Sequence, residues 1–468
     1  MHALSFPWLS LVIGIPALGS LACWRLDPER AWRTGLLVTL LALVLSVATW
    51  AALPKGQTLW DPFDPLAALG LAPCLLLDDL AAPLLPFGAL LFAVTAFTLP
   101  RTRPTRGQSA RLLLAEAITL ATFACQNDVA LGVLWVIGLL PFDAELRAAH
   151  VERLRGVRVY MAVSTLLMIA GLIAARRPAA PAALAGGLLL AAVMIRKGIV
   201  PLHSWMPGLF ERAPLGAAVL FSTPQIGTYL AIRMIAPTAP AIVLTVLGTL
   251  SLVTAVYAAG LALVQKDARR AFGWLFMSQS ALVLAGLECT SVTGLAGGLS
   301  LWISSSLALA GFGMTLAVLE ARRGHVSLDR YSGGYESTPM LAMSFVLLGL
   351  CTVGFPGTLG FVGAELLLDG SVQAHPQVGI AAVVATVLNG ITVVRMFFLL
   401  FCGARAPLRP ELRLLPREHA AFAVLVAALV LGGLLPRPLL DGRGRAAMRT
   451  LETRRALRAA QPFSSSAK

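Results

Sequence analysis

Ala191–Arg212 reads AAVMIRKGIVPLHSWMPGLFER, and its reading decides the architecture. It closes a long apolar run, PAALAGGLLLAAVMI, yet brings Arg196 and Lys197 directly after it, then Gly198, Pro201, His203, Trp205 and Pro207. An ammonium in hydrocarbon costs at least ~2.5–3.5 kcal/mol on insertion scales. Glycine and proline at bilayer depth break a helix, which is tolerated only where protein or water takes up the freed backbone groups. A charge beside such a break reads as part of an ion path. The plain alternative is a lysine near a helix end that snorkels to the interface.

Outward from this stretch, composition sets the class. The chain has 468 residues, 57% hydrophobic and 13% charged. Apolar runs of eighteen residues and more recur along it, as in an all-α, multi-pass membrane protein whose spans leave no room for a soluble catalytic domain. The net charge of +14 reads as loop charge facing the cytoplasm, with no nucleic acid implied. Cys23, Cys74, Cys125, Cys289, Cys351 and Cys402 are scattered singly, without a CxxC pair. Neither a metal site nor an iron–sulfur cluster is expected, and no glycine-rich nucleotide loop occurs, so no cofactor is expected. Phe6–Trp24, without a basic leader, reads as a first span.

Hydropathy places spans at about 6–24, 33–53, 80–99, 109–126, 128–142, 158–175, 182–208, 214–236, 239–262, 270–288, 295–320, 339–370, 377–402 and 419–436. That is about fourteen. Residues 55–79, with Asp61, Asp64, Asp78 and Asp79, read as a long external loop containing a partly buried hairpin. Of the loop lysines and arginines, 22 lie on the side of the first loop and three (Lys55, Arg176, Arg177) on the other. That bias makes the first side cytoplasmic. The basic tail from Arg437 disagrees, since an even span count puts it on the other side.

The span at 339–370 is too long for one straight crossing, at ~1.5 Å per residue against a hydrocarbon core of ~30 Å. Gly354, Pro356, Gly357 and Gly360 should interrupt it, as Gly198 and Pro201 interrupt the seventh. Two broken helices five spans apart suggest inverted repeats over 109–236 and 239–402. These are flanked by an N-terminal part, 1–108, and a last helix with tail, 403–468. A chance pair of proline-kinked helices is the alternative.

RKGIVPLHSWMPGLFERAP (196–214) resembles the signature KxxxxPxHxWLPxAxxxAP of the antiporter-like subunits of respiratory complex I. QKDARR (265–270) followed by Ser278-Gln279 resembles their QxDLKRxxAYSSxxQ. GFPGTLGFVGAE (354–365) resembles GFPxxxGFxGE, and VRMFFLLFCG (394–403) resembles a later RxxxxxFxG. The four stand in the family's order and look most similar to subunit M of bacterial NADH:quinone oxidoreductase. The resemblance implies fourteen core helices in two inverted five-helix repeats, with helices 7 and 12 broken. It also implies coupled buried charges that pass protons along the midplane. At ~6 Å and an effective dielectric near 20, two like charges repel by ~3 kcal/mol, enough for one proton to move the next.

Carried over by residue, the implied path holds Lys197 on helix 7, Glu365 near the glutamate of helix 12 but one residue late, Glu116 in LLLAEAITL, His203, and Gln225 where subunit M has a helix-8 lysine. WVIGLLP (135–141) matches WExxxxP with Val136 in place of the glutamate that pairs with the helix-7 lysine. Ser304 and Ala308 stand where relatives place a histidine and a lysine. Plainer roles are a structural ion pair for Glu116, an interfacial anchor for His203 beside Trp205, snorkelling for Arg395, and solvated loop charge for Glu211, Arg212 and Lys266–Arg270. The implied function is a proton-conducting membrane-arm subunit without redox chemistry of its own, among other membrane subunits of a respiratory-type complex in the inner membrane. Two alternatives stay open: part of a cation/proton antiporter or inorganic-carbon uptake system, or a non-conducting structural relative.

Overall fold

The computed structural model describes residues 2–4, 6–64, 74–99, 107–151, 154–177, 180–372, 376–403 and 413–460. The loop charges Arg101, Arg103, Arg106, Arg153, Arg405 and Arg409, and Lys468 of the tail, lie outside the described residues. The first half runs α1 (Trp8–Arg25), α2 (Pro28–Ala52), α3 (Leu84–Thr98), α4 (Gln108–Ala124), α5 (Asp128–Ile137), α6 (Leu139–Ala148), α7 (Arg155–Ala175), α8 (Ala182–Lys197), α9 (Trp205–Arg212), α10 (Leu215–Ser222) and α11 (Ile226–Leu230). The second runs α12 (Ala241–Leu263), α13 (Ala268–Ala285), α14 (Val292–Arg323), α15 (Pro339–Thr352), α16 (Leu359–Val372), α17 (Pro376–Phe401), α18 (Pro416–Leu434) and α19 (Arg437–Ala460). Ten helical stretches are long and apolar enough to cross a membrane, and α3 and α15 are shorter apolar helices. The protein is thus a multi-pass, helical membrane protein.

Both expected interruptions are present. α8 stops at Lys197 because Gly198 turns left-handed at φ 65°, a conformation glycine adopts without penalty. The turn closes as a Schellman motif, Ile199 N–H donating to Met194 O (2.9 Å) and Gly198 N–H to Ile195 O (3.1 Å). Neighbours take up what the break frees: Thr254 Oγ1 accepts from Val200 N–H at 3.0 Å, and Trp205 Nε1 donates to Ile195 O at 2.8 Å. The second break separates α15 from α16, with Gly354 at φ 72°.

A third break was not anticipated. The expected span at 214–236 divides into α10 and α11 across Thr223–Gln225, then ends in a π-helical turn, Ala231–Ile235. Pro224 is the cause, since it has no amide to donate and crowds the preceding turn. The span at 128–142 also continues further, as α5 and α6 joined at Gly138.

At the centre stands α14, 32 residues long, with its most apolar window wholly buried. α16 packs against it almost backbone to backbone. A methyl group added at Gly297 would come within 2.3 Å of Leu367 N, and one at Gly370 within 2.0 Å of Gly294 N. Small residues permit this approach, which gains dispersion contacts where no water remains to drive association.

The loop after α2 holds the expected hairpin. β2 (Leu59–Trp60) pairs antiparallel with β3 (Leu76–Leu77), and β1 (His2–Ala3) adds in parallel. Its aspartates have separate tasks. Asp61 accepts from the Leu9 and Ser10 amides (2.7 and 3.1 Å) at the start of α1, where Pro7 has no capping side chain. Asp64 accepts from the Cys74 and Leu75 amides. Asp78 forms a two-pronged pair with Arg233 (2.7 and 2.8 Å), and Asp79 meets Arg445 at 2.9 Å.

The basic tail is helix α19, lying on this same end. Arg443 donates to Leu80 O, Arg449 to Gly56 O and Thr58 Oγ1, and Arg454 to Ala236 O and Leu287 O. The tail therefore shares the end of the 55–64 loop, as an even number of crossings requires. Arg443, Arg445, Arg449 and Arg454 stand against carbonyls or Asp79, so these four say nothing about the cytoplasmic side.

Candidate functional site

Two broken helices bring their loose ends together against α14. Lys197, the last residue of α8, is 3% exposed. Its Nζ donates to Gln225 Oε1 and, at 3.0 Å, to Thr228 Oγ1. Gln225 sits at the break between α10 and α11 with φ 51°, a left-handed backbone that is uncommon outside glycine and marks functional sites. Its Nε2 donates onward to Ser306 Oγ on α14 at 2.7 Å. Trp302 Nε1 holds the same break through Pro224 O at 3.2 Å. A hydrogen-bonded line thus runs from the break after α8 through the break between α10 and α11 to the central helix α14. Each side chain in it is buried.

The remaining candidates are placed elsewhere. Glu116 is fully buried on α4, and neither carboxylate oxygen has a hydrogen-bond partner among the described residues. No ion pair joins it to Lys197 among those residues, so the carboxylate missing at Val136 is not replaced by direct contact. His203, between α8 and α9, packs edge-on to Tyr257 (centroids 5.5 Å) and against Trp274 (5.6 Å), off the Lys197 line. Glu365 lies exposed on α16, at a cavity it lines with Gln279, Thr352 and Gly354. Another polar cluster joins α12, α13 and α17: Asn389 Nδ2 donates to Ser278 Oγ (2.8 Å), which donates to Ala255 O (2.7 Å). Among the described residues, Ser304 and Ser305 bond only back along their own helix.

The residue most clearly passed over is Arg196. It is 8% exposed. Nη1 donates to Trp135 O at 2.8 Å, and the guanidinium lies 4.4 Å from the Trp135 ring centre and 5.1 Å from that of Phe221. The signal was in the signature itself. KxxxxP sets its lysine five residues before the proline, and five before Pro201 is Arg196, whereas Lys197 is four before. Asn389 was also passed over, since a lone asparagine in an apolar run carries no motif.

Part of the charge near the helix ends is structural, including Arg269 of the run expected to be solvated. Arg269 pairs with Glu320 at 2.5 Å and donates to Ala213 O. Arg322 pairs with Glu418 at 2.5 Å, and Arg111 with Glu145 at 2.5 Å. Lys266 remains exposed. Arg395 donates to Gln265 O at 3.1 Å.

The sequence model described as NADH:quinone oxidoreductase/Mrp antiporter, TM, matches residues 159–389. Among curated proteins, NADH-quinone oxidoreductase subunit M of Mycobacterium tuberculosis (strain CDC 1551 / Oshkosh) is 26% identical over 294 residues, 61% of this chain and 53% of that protein. The aligned part thus spans about half the length of that relative. NADH-quinone oxidoreductase subunit N 2 of Solidesulfovibrio magneticus is 27% identical over 94% of this chain and 92% of its own length. Among solved structures, a chain of respiratory complex I from Thermus thermophilus superposes with a TM-score of 0.85 at 22% identity, covering 95% of this chain and 99% of that one. That likeness speaks for a shared fold.

Proposed function

On the premise that the chain belongs to the antiporter-like membrane-subunit family shared by NADH:quinone oxidoreductases and Mrp antiporters, we propose that it is a proton-conducting subunit in the membrane arm of a multi-subunit respiratory-type complex. In this reading it crosses the inner membrane fourteen times. Its two inverted repeats, 109–236 and 239–402, lie between an N-terminal part, 1–108, and a C-terminal part, 403–468. Electron transfer belongs to other subunits, and this chain passes protons in response.

The observation that carries the reading is the buried line Lys197–Gln225–Ser306. An ammonium at a helix break gains little structurally, and it is costly to keep in an apolar interior. Amide and hydroxyl partners hold it with donors and acceptors that reorient, so its proton has a route to the central helix. Glu116 and Glu365 would serve as stations of the same path, with His203 beside its entry.

The test is proton uptake by proteoliposomes carrying the purified complex. Lys197→Ala should abolish uptake while electron transfer and subunit composition persist. Unchanged uptake by a fully assembled Lys197→Ala complex would refute conduction through this chain and leave the non-conducting relative. Val136 and the unpaired Glu116 are the observations that favour that second reading. Uptake that requires sodium in exchange would instead identify an antiporter.

A further inference from the structure

Arg196 lines a cavity between α3, α4, α6 and α10, whose walls include Phe92, Leu112, Ile118, Phe142 and Leu220. Nη1 is engaged with Trp135 O, the only hydrogen bond of this guanidinium among the described residues. No carboxylate pairs with it there. The nearest charges on the cavity wall, Arg111 and Glu145, neutralise each other at 2.5 Å. A methyl group at Gly138 would stand 3.6 Å from Nη2, so the glycine leaves the guanidinium room on that side. The aromatic faces of Trp135 and Phe221 offset part of the cost of a buried cation. They do not neutralise it. A buried charge without a counter-charge is strongly unfavourable, and a fork of N–H donors matches a carboxylate.

We infer that this cavity binds a single-chain amphiphile with a carboxylate head, a long-chain fatty acid, its head on Arg196 and its chain along the apolar walls. Charge complementarity selects the head, because one positive charge is unbalanced. The apolar lining with one convergent polar group selects the chain. The ligand carboxylate would supply, from outside the chain, the negative charge absent at Val136. The inference stands on the geometry of Arg196 and is independent of conduction by Lys197.

The test is saturable binding of radiolabelled oleate to the full chain in lipid nanodiscs, with competition by unlabelled oleate, oleyl alcohol, dodecyl phosphate and phosphatidylglycerol. Saturable binding is expected, with oleyl alcohol competing roughly tenfold or more weakly, the scale of a lost charge-assisted hydrogen bond. Arg196→Gln should weaken binding by about the same factor. Ala115→Phe, which narrows the cavity but keeps the charge, should weaken it as well, and it decides the matter if Arg196→Gln does not fold. Absence of saturable binding, oleyl alcohol competing as well as oleate, or affinity unchanged in the variants would overturn the proposal. Stronger competition by dodecyl phosphate or phosphatidylglycerol would assign the site to phosphate heads and overturn it equally. The readout does not depend on proton transport, so failure here leaves the conduction reading intact.

Discussion

Lys197 and Gln225 meet side chain to side chain although 28 residues separate them, each at the broken end of its own helix. Neither contact is available to an intact helix. Gly198 lets α8 stop at the lysine, and Pro224 stops α10 just before the glutamine. The pair is the consequence of two interruptions, and its chemistry is that of a charge held by a neutral amide.

Gln225→Leu should therefore leave the ammonium with Thr228 alone. Loss of a hydrogen bond to a charged group in a buried site is worth ~1.5–3 kcal/mol. Thermal unfolding of the purified chain should show a lower midpoint, and uptake by proteoliposomes should fall. A variant with native stability and native uptake would remove Gln225 from the path.

Asp78 predicts an acid limit to stability. Burial raises its carboxyl, but the Arg233 charge, the paired hydrogen bonds and the Ala81 amide outweigh it and hold the group below the usual carboxylate range. A depressed folded-state value means stability that is complete above the ordinary aspartate range and is lost as pH falls through the folded value. Unfolding midpoints should decline across that acid window. Asp78→Asn should flatten the decline while costing about 3–5 kcal/mol at neutral pH, because Arg233 stays behind with no counter-charge.

At Gly297 the prediction is steric. The Leu367 amide lies within 2.3 Å of where a Cβ would stand, so even Gly297→Ala must push α16 from α14. Overpacking of this kind costs typically ~1–3 kcal/mol. Gly187→Ala, where nothing lies within 4 Å, is the control and should leave the unfolding midpoint within a degree or two of native, as surface changes do.

Side of exposure is checked by cysteine labelling in a Cys402→Ser background. Loop charge predicts 143–158 on the cytoplasmic side, and an even number of crossings puts α19 on the other. Arg147→Cys should react only with reagent admitted to the inside, and Glu452→Cys only from outside. Labelling of both from one side would defeat the even crossing number.

Much of this molecule was legible in its amino-acid order. Span after span follows from apolar length, since each backbone amide in lipid must bond within its own helix. The breaks at Gly198–Pro201 and Gly354–Gly360 follow from local backbone chemistry. So does the hairpin after α2. Local rules are legible because they involve neighbours in sequence. Pro224 carried the same signal and was passed over inside a run apolar enough to read as one span. The signature spacing that points to Arg196 was likewise present.

What the order of residues did not contain was the set of partners. Lys197 with Gln225, Gln225 with Ser306, and Ser278 with Asn389 join positions 28, 81 and 111 residues apart. Whether Glu365 is buried or exposed depends on which face of α16 meets α14, and the glycines decided that by allowing one face to approach. The tail arginines looked like a cytoplasmic signal, until folding set Arg443, Arg445, Arg449 and Arg454 against Asp79 and backbone carbonyls. A charge in sequence has a sign and no address. Only packing decides whether it meets water, a carbonyl or an opposite charge, because the cost of burying it depends on what stands within a few ångströms.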